Sequence, residues 1–380
     1  MPRRDRALML SPGPVHVPAG LMADLPPLHH RSEEFKRIMI ETEAMLREFL
    51  GTASSIYIFT ASGTGAMEAA VANTAPAGSR ALVVSGGKFG DRWAEILEAY
   101  GCRADVMRFA EGSAIPAEAV IERVSRTNPE LIALTHVESS TGLLFPLPDL
   151  LRDLPSPRPV VLVDAVSSFG VEALEVDLWG IDIAIGASQK ALMAPPGVSF
   201  MSMSARAREL ARRRQCHSYY FDVHRYAAER DNGDAPFTPA IHVVQLMHAA
   251  LSRFKERGFE AVRERHRRAS AAFLSAAKHL SLVSFSETPS SAVQVLVIPE
   301  VRTEIDLQAE LARAGFIVAG GQGSLKGRVI RTGFLGFFGS EVLVRFTREL
   351  ARILAEGGFP VDVAAAESAI LAGYEEGYLF

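Results

Sequence analysis

One lysine stands in the stretch GASQKALMAPPG (186–197), among small, apolar and kinked neighbours. Lys190 follows Gln189 at the end of the apolar run DIAIGAS (182–188). An amine held in a desolvated site has a lowered pKa and attacks carbonyls; the plainer reading is a stem that snorkels to solvent. Asp164 closes the apolar part of PVVLVDAVSS (159–168), where a carboxylate is costly unless it meets a cation or caps a helix. In TASGTGAMEAA (60–70), Ser62, Gly63, Thr64 and Gly65 open a helical pattern. Free N–H groups and the helix dipole there make an anion site, or simply a capped helix start. In SGGKFGDRW (85–93), glycines flank Phe89 and would let its ring approach a planar ligand, or it is a core residue. Glu138, Ser139, Ser140 and Thr141 crowd THVESSTG (135–142), either as a turn network or as ligand contacts.

Taken together, these residues ask for one ligand. A helix N-terminus suits a phosphate, an aromatic plate suits a ring, a carboxylate suits a protonated pyridine nitrogen and a lysine suits an aldehyde. Pyridoxal phosphate has all four parts. No GKS or GKT follows the glycines, so this is not a nucleotide P-loop, and GxGxxG is absent too. His16, His29, His30, His136, His217 and His242 show no HxH or HExxH spacing, so no metal is expected. Cys216 and His217 are adjacent and would point to opposite sides of a strand, which argues against a catalytic pair.

The elements that must position these residues are legible as a pattern. Apolar runs at 55–59, 80–87, 130–137, 159–168, 182–188 and 198–204 alternate with helical patterns at 64–75, 90–100, 116–127 and 147–153. Strand and helix in alternation predict an α/β sheet with mainly parallel strands, and ligands bind beyond the carboxyl ends of such strands. The link QKALMAPPG is too short for a helical crossover, so the last two runs should pair antiparallel. A long helical stretch follows over 239–282. Strands at 291–299, 316–321 and 327–334, with helices at 303–314 and 339–356, then predict a smaller C-terminal α/β domain. The expected division is an N-terminal arm (1–16), a large domain (17–260) and a small domain (261–380).

Composition bounds the alternatives. The chain has 380 residues, 48% hydrophobic and 22% charged, with a net charge of −4 and pI near 6.2. That charge argues against nucleic-acid or anionic-membrane partners. The arginines at 3, 4, 6 and 212–214 read as solvated clusters. No apolar run approaches the roughly 20 residues that span a bilayer. The short apolar stretch near the N-terminus does not resemble a signal sequence. Two cysteines without metal-ligand spacing suit a reducing compartment, so a cytoplasmic protein is expected.

The motifs SGTGAMEAA, GGKFGDRW, HVESSTG, VDAVSS, GASQKALMAPPG (with Ala187 in the second place) and RTGFLG resemble those of class V aminotransferases of fold type I. The likeness is to the alanine–glyoxylate and serine–glyoxylate (serine–pyruvate) group, and runs from SPGP (11–14) to about residue 356. It implies a mainly parallel seven-stranded sheet between helices, a smaller C-terminal α/β domain, and a homodimer with a shared active site. It implies pyridoxal phosphate bound through a Schiff base to Lys190, with Asp164 on the pyridine nitrogen and Phe89 and Val166 on the ring faces. Ser62, Gly63, Thr64 and Gln189 would hold the phosphate, with Thr238 lent by a second subunit, and Ser139 would reach the ring hydroxyl. Arg331 would clamp the substrate carboxylate, while Arg328 reads as surface. The implied reaction moves an amino group from a small amino acid (alanine, serine or similar) to a small 2-oxo acid (glyoxylate or pyruvate). Ala235 stands where some relatives carry Tyr, and HHRSEEF (29–35) resembles the entry of many class V members but not of all glyoxylate enzymes. The rivals are a lyase, aldolase or decarboxylase on the same scaffold, a 2-aminoethylphosphonate–pyruvate transaminase, and a non-catalytic binding protein. A cysteine desulfurase would need a nucleophilic cysteine on a small-domain loop, and both cysteines here precede that part.

Overall fold

The computed structural model describes residues 7–22, 25–299, 306–336 and 339–375. Side chains along its central strands alternate between two cores. Leu82, Val84, Ile132, Leu134, Val161 and Val163 pack on one side with residues of the helices Glu33–Leu50 and Ile241–Arg257. Ala81, Val83, Leu131, Ala133 and Leu162 pack on the other with residues of the helices Gly63–Thr74 and Lys88–Ala99. A sheet covered on both faces needs apolar residues at every position, which is why its strands appear as unbroken runs.

The seven strands lie in the order Ser55–Phe59, Ser199–Met203, Ile183–Ala187, Val160–Asp164, Leu131–Thr135, Arg80–Ser85 and Arg103–Arg108. Every pairing is parallel except the two made by Ser199–Met203, which runs antiparallel to both neighbours as its short link requires. Two reversals restore direction, so Ser55–Phe59 points the same way as Ile183–Ala187. Six strands therefore deliver their carboxyl ends to one edge.

The structure departs from the sequence pattern in several places. The edge strand Arg103–Arg108 is charged at both ends and only half-buried, so it lacks the apolar run by which the others are recognised. Helix Glu33–Leu50 did carry a signal: Ser32 accepts from the Phe35 N–H, and Glu33 and Glu34 fill the first turn. Helices Ala205–Arg212, Val223–Arg230 and Val363–Gly373 are further elements outside the predicted set. The stretch 239–282 is two helices, Ile241–Arg257 and Phe259–Lys278, split at Gly258 with φ 86°. The expected strand 316–321 is broken into Phe316–Ile317 and Ala319–Gly320. The first residues of the expected helix 303–314 lie outside the described residues, and helix Leu307–Arg313 follows.

After Gly258 the chain builds a second core. An antiparallel sheet, ordered Val283–Ser284, Val293–Val297, Val329–Gly333 and Ala319–Gly320, is covered by residues of Phe259–Lys278, Ser340–Glu356 and Val363–Gly373. The N-terminal strand Leu8–Met9 pairs parallel with Phe316–Ile317. The chain then passes between the two cores: the Gly333 N–H donates to the Leu10 carbonyl at 2.7 Å, and the Val15 N–H to the Gln189 carbonyl at 3.2 Å.

Gly186 stands opposite Phe200 in the sheet register, and a Cβ there would lie 2.1 Å from the fully buried Phe200 ring. Gly186→Ala should therefore destabilise the protein by about 1–3 kcal/mol, the usual range for overpacking. Calorimetric unfolding would show this as a lowered midpoint; an unchanged midpoint would mean that ring moves freely.

Candidate active site

The carboxyl edge of the large sheet opens onto a cavity of about 250 Å³. Ser62, Gly63 and Thr64 enter it from the helix after the first strand, and Phe89 from the helix after the second. Asp164 and Val166 come from the end of Val160–Asp164, and Gln189 and Lys190 from the turn after Ile183–Ala187. Residues spread over nearly 130 positions of sequence thus meet because their strands are neighbours.

Lys190 Nζ donates to the Pro12 carbonyl at 2.5 Å. Gly13, with φ 117°, lies so close that a Cβ would sit 2.7 Å from Lys190 Cδ. The SPGP segment (11–14) thus covers the lysine side chain, and only a residue without a Cβ fits at Gly13. No role for Pro12 or Gly13 follows from their types alone. Burial pulls the Lys190 pKa down to about 8, Asp164 opposes this and Arg331 adds to it.

Asp164 is buried, and burial pushes its carboxyl pKa up; the Val166 N–H and the charges of Lys190 and Arg92 pull it back. The Val166 N–H donates to Asp164 Oδ1 at 2.8 Å and orients the carboxylate. Val166 packs against Gly63, where an added Cβ would come 2.7 Å from Val166 Cγ2.

The helix Gly63–Thr74 presents its N-terminus to the same cavity. Its first intrahelical donors are the Gly65 and Ala66 N–H groups, both to the Ser62 carbonyl, and the Ser62 hydroxyl does not cap its own helix. The Gly63 and Thr64 N–H groups therefore face the cavity as unused donors. Gln189 adds a side-chain amide whose Oε1 is buried without a partner among the described residues.

Glu138 explains the polar loop of THVESSTG. Its buried carboxylate accepts from the Phe89 and Gly90 N–H groups, each at 2.9 Å, and from the Ser140 N–H at 3.1 Å and hydroxyl at 2.5 Å. It caps the helix Lys88–Ala99 from a distant loop and so sets where Phe89 stands. Burial raises its pKa while these donors oppose the rise. Arg92, one turn after Phe89, also lines the cavity: its Nη1 donates to Thr64 Oγ1 at 3.1 Å, and its guanidinium lies 4.7 Å from the Phe89 centroid. The sequence reading passed over Arg92, although it falls on the helix face of Phe89.

The remaining candidates lie around this cavity or away from it. Arg331 is buried on Val329–Gly333; Nε donates to the Gly320 carbonyl at 2.8 Å and Nη1 to the Ser139 carbonyl at 3.0 Å. Arg331 does not line the cavity, but its charge acts on Lys190. Ser139 is buried and meets Arg331 through its backbone rather than lining the cavity. Thr238 is exposed and does not line the cavity of its own chain. Arg328 is exposed. His136 is buried beside Trp179 with ring centroids 6.0 Å apart, its pKa pushed down to about 3 by burial, and its Nδ1 has no partner among the described residues. Among the described residues, no His, Cys, Asp and Glu group could hold a metal ion, and no helix is long and apolar enough to cross a membrane.

The aminotransferase class-V family model matches residues 25–334. The chain belongs to the class V aminotransferase family. It is 32% identical to the soluble hydrogenase small subunit of a Synechococcus, covering 97% of this chain and 99% of that one. It is 31% identical to alanine–glyoxylate aminotransferase 1 of Saccharomyces cerevisiae, covering 86% and 91%. It is similar to the crystal structure of a subgroup IV aspartate aminotransferase from Thermus thermophilus, with a TM-score of 0.86 at 31% identity, covering 92% and 99%. A class V aminotransferase is an enzyme whose family implies pyridoxal phosphate as cofactor and amino and 2-oxo acids as substrates. The residues present fit that cofactor: unused N–H donors suit its phosphate, the carboxylate suits its ring nitrogen, and the unpaired Gln189 amide oxygen marks a polar wall without a protein partner.

The pKa of Lys190 gives this aminotransferase a measurable signature. An unfolded lysine keeps its proton to about pH 10.5, whereas folded Lys190 releases it at about 8. The folded state is therefore penalised below pH 8, and the penalty fades as pH rises towards 10.5. The stability of cofactor-free wild type, minus that of Lys190→Met, should rise by on the order of 2–3 kcal/mol across that window. Urea unfolding at a series of pH values measures it; a flat difference would show that Lys190 is hydrated.

Proposed function

We propose that this protein is a pyridoxal-phosphate-dependent transaminase that moves an amino group from a small amino acid, alanine or serine, to a small 2-oxo acid, glyoxylate or pyruvate. The observation that carries this is a desolvated amine and a desolvated carboxylate in one cavity, with helix N–H donors beside them. When bound, the cofactor supplies an electron sink for the substrate's Cα and a carbon that carries the amino group between the two half-reactions.

The chain's own residues do the rest. Asp164 keeps a proton on the pyridine nitrogen. Lys190 would hold the cofactor's aldehyde carbon, and its Nζ would take the substrate's Cα proton and return it; a pKa near 8 keeps a usable share of free amine at neutral pH. Phe89 and Val166 confine the ring between them. Ser62, Gly63, Thr64 and Gln189 bind the phosphate, while Ser139, which does not line the cavity, holds Arg331 through its carbonyl. Arg331 binds the substrate carboxylate, with its two backbone bonds fixing the guanidinium plane beforehand. In a homodimer, the exposed Thr238 would serve the other subunit's phosphate. The alanine–glyoxylate name of the yeast relative points to small substrates.

Single-turnover mixing tests this reading. Loaded enzyme mixed separately with alanine, serine, aspartate, glycine or aminoethylphosphonate should convert with alanine or serine fastest, read as loss of the near-visible cofactor band. Lys190→Ala should lower the rate by at least about a thousandfold and Asp164→Asn by about a hundredfold or more. Loss of substrate carbon dioxide or cleavage of its side chain, in place of a 2-oxo acid product, would replace the transaminase reading with a lyase.

A further inference from the structure

We propose that Arg92 is the cation of the anion site, holding the phosphate of the bound cofactor and, with the same guanidinium, fixing the plane of Phe89. The inference rests on the cofactor reading above.

Arg92 and Lys190 are the two cationic side chains that line the cavity. Lys190 is drawn to the Pro12 carbonyl and is needed at a carbonyl carbon. Arg92 instead meets Thr64, the second residue of the helix whose unused N–H groups face the cavity. A phosphate monoester is close to a dianion near neutral pH. Neutral donors alone leave much of that charge uncompensated in a dry site, whereas a guanidinium supplies both charge and directed N–H groups.

The position of Arg92 is otherwise unfavourable. Its guanidinium bonds Thr64 in the first turn of another helix, whose positive end disfavours a positive side chain. Among the described residues no carboxylate pairs with it: neighbouring Asp91 is taken by Arg108 at 3.0 Å and by the Ser85 hydroxyl at 3.0 Å. A cation beside a positive helix end, with Asp164 acting on it only at longer range and no ion pair among the described residues, suits an anion. Its hydrogen bond also has the right direction. Thr64 Oγ1 accepts from Arg92, which leaves the hydroxyl hydrogen free to donate into the cavity. The guanidinium face lies over Phe89, so the same group that attracts the phosphate holds the ring plate in place.

The test compares two ligands that differ only in phosphate. Wild type, Arg92→Gln and Arg92→Lys are titrated in the cofactor-free state with pyridoxal phosphate and with pyridoxal, followed by protein fluorescence. Arg92→Gln should weaken pyridoxal phosphate about ten- to a hundredfold and pyridoxal by less than about threefold, with Arg92→Lys between. Inorganic phosphate should raise the melting temperature of cofactor-free wild type and leave that of Arg92→Gln unmoved. Equal losses for both ligands, or none, would overturn the proposal; a purely structural arginine gives equal losses. If Arg92→Gln does not fold, the same ratio measured on Arg92→Lys decides, a phosphate-selective loss supporting the proposal and an unselective one ending it. Wild type that binds neither pyridoxal compound would remove the cofactor reading, while the melting shift with phosphate would still decide whether Arg92 serves an anion.

Discussion

Two opposite charges that influence each other without joining govern this structure. Lys190 and Asp164 each lose hydration at the same cavity, and each is steadied by the other's charge. Their nearest bonds nevertheless go elsewhere, the amine to the Pro12 carbonyl and the carboxylate to the Val166 N–H. A direct salt bridge would satisfy both and close the site. Held apart, they keep a gap that a ligand with a carbonyl at one end and a basic nitrogen at the other can span.

Holding that gap open calls for rigid supports from both cores. The two strands that carry these residues are paired in register, Asp164 beside Ile185, so their separation is set by the sheet rather than by loops. Gly186 lets the Phe200 ring lie flat against that part of the sheet. Glu138 ties the helix of Phe89 and Arg92 to a neighbouring strand end through two hydrogen bonds, from the Phe89 and Gly90 N–H groups. The N-terminal segment closes the lysine side of the cavity, and Arg331 reaches in from the second core to bond the backbone of Ser139. The residues lining the cavity come from the N-terminal segment and the large sheet, and Arg331 joins the second core to the loop of Ser139.

Much of this was legible in the chain. The unbroken apolar runs marked the strands buried on both faces, and the loops after them contained the residues that line the cavity. The legibility failed where the physics was different. Arg103–Arg108 is an edge strand, and an edge needs no continuous apolar face. Gly258 interrupts a helical pattern by a backbone angle that periodicity does not report. Arg92 was passed over, since nothing in its own neighbourhood shows that Thr64, some 28 positions earlier, would be beside it. Glu138 looked like a turn residue for the same reason: its partners are backbone N–H groups about 50 positions away.

The sequence by itself determined the chemical kinds present: one amine after a strand, one carboxylate after another, a helix start built of small residues, and the alternation that makes an α/β sheet. Those follow from local residue types and spacing, which act over a few positions. Only the tertiary structure decided that Pro12 and Gly13 enclose the lysine, that Glu138 caps a distant helix, and that Arg92 stands beside Thr64. These observed placements depend on distances between strand ends, and such distances arise only when burial of both sheet faces brings separate segments together.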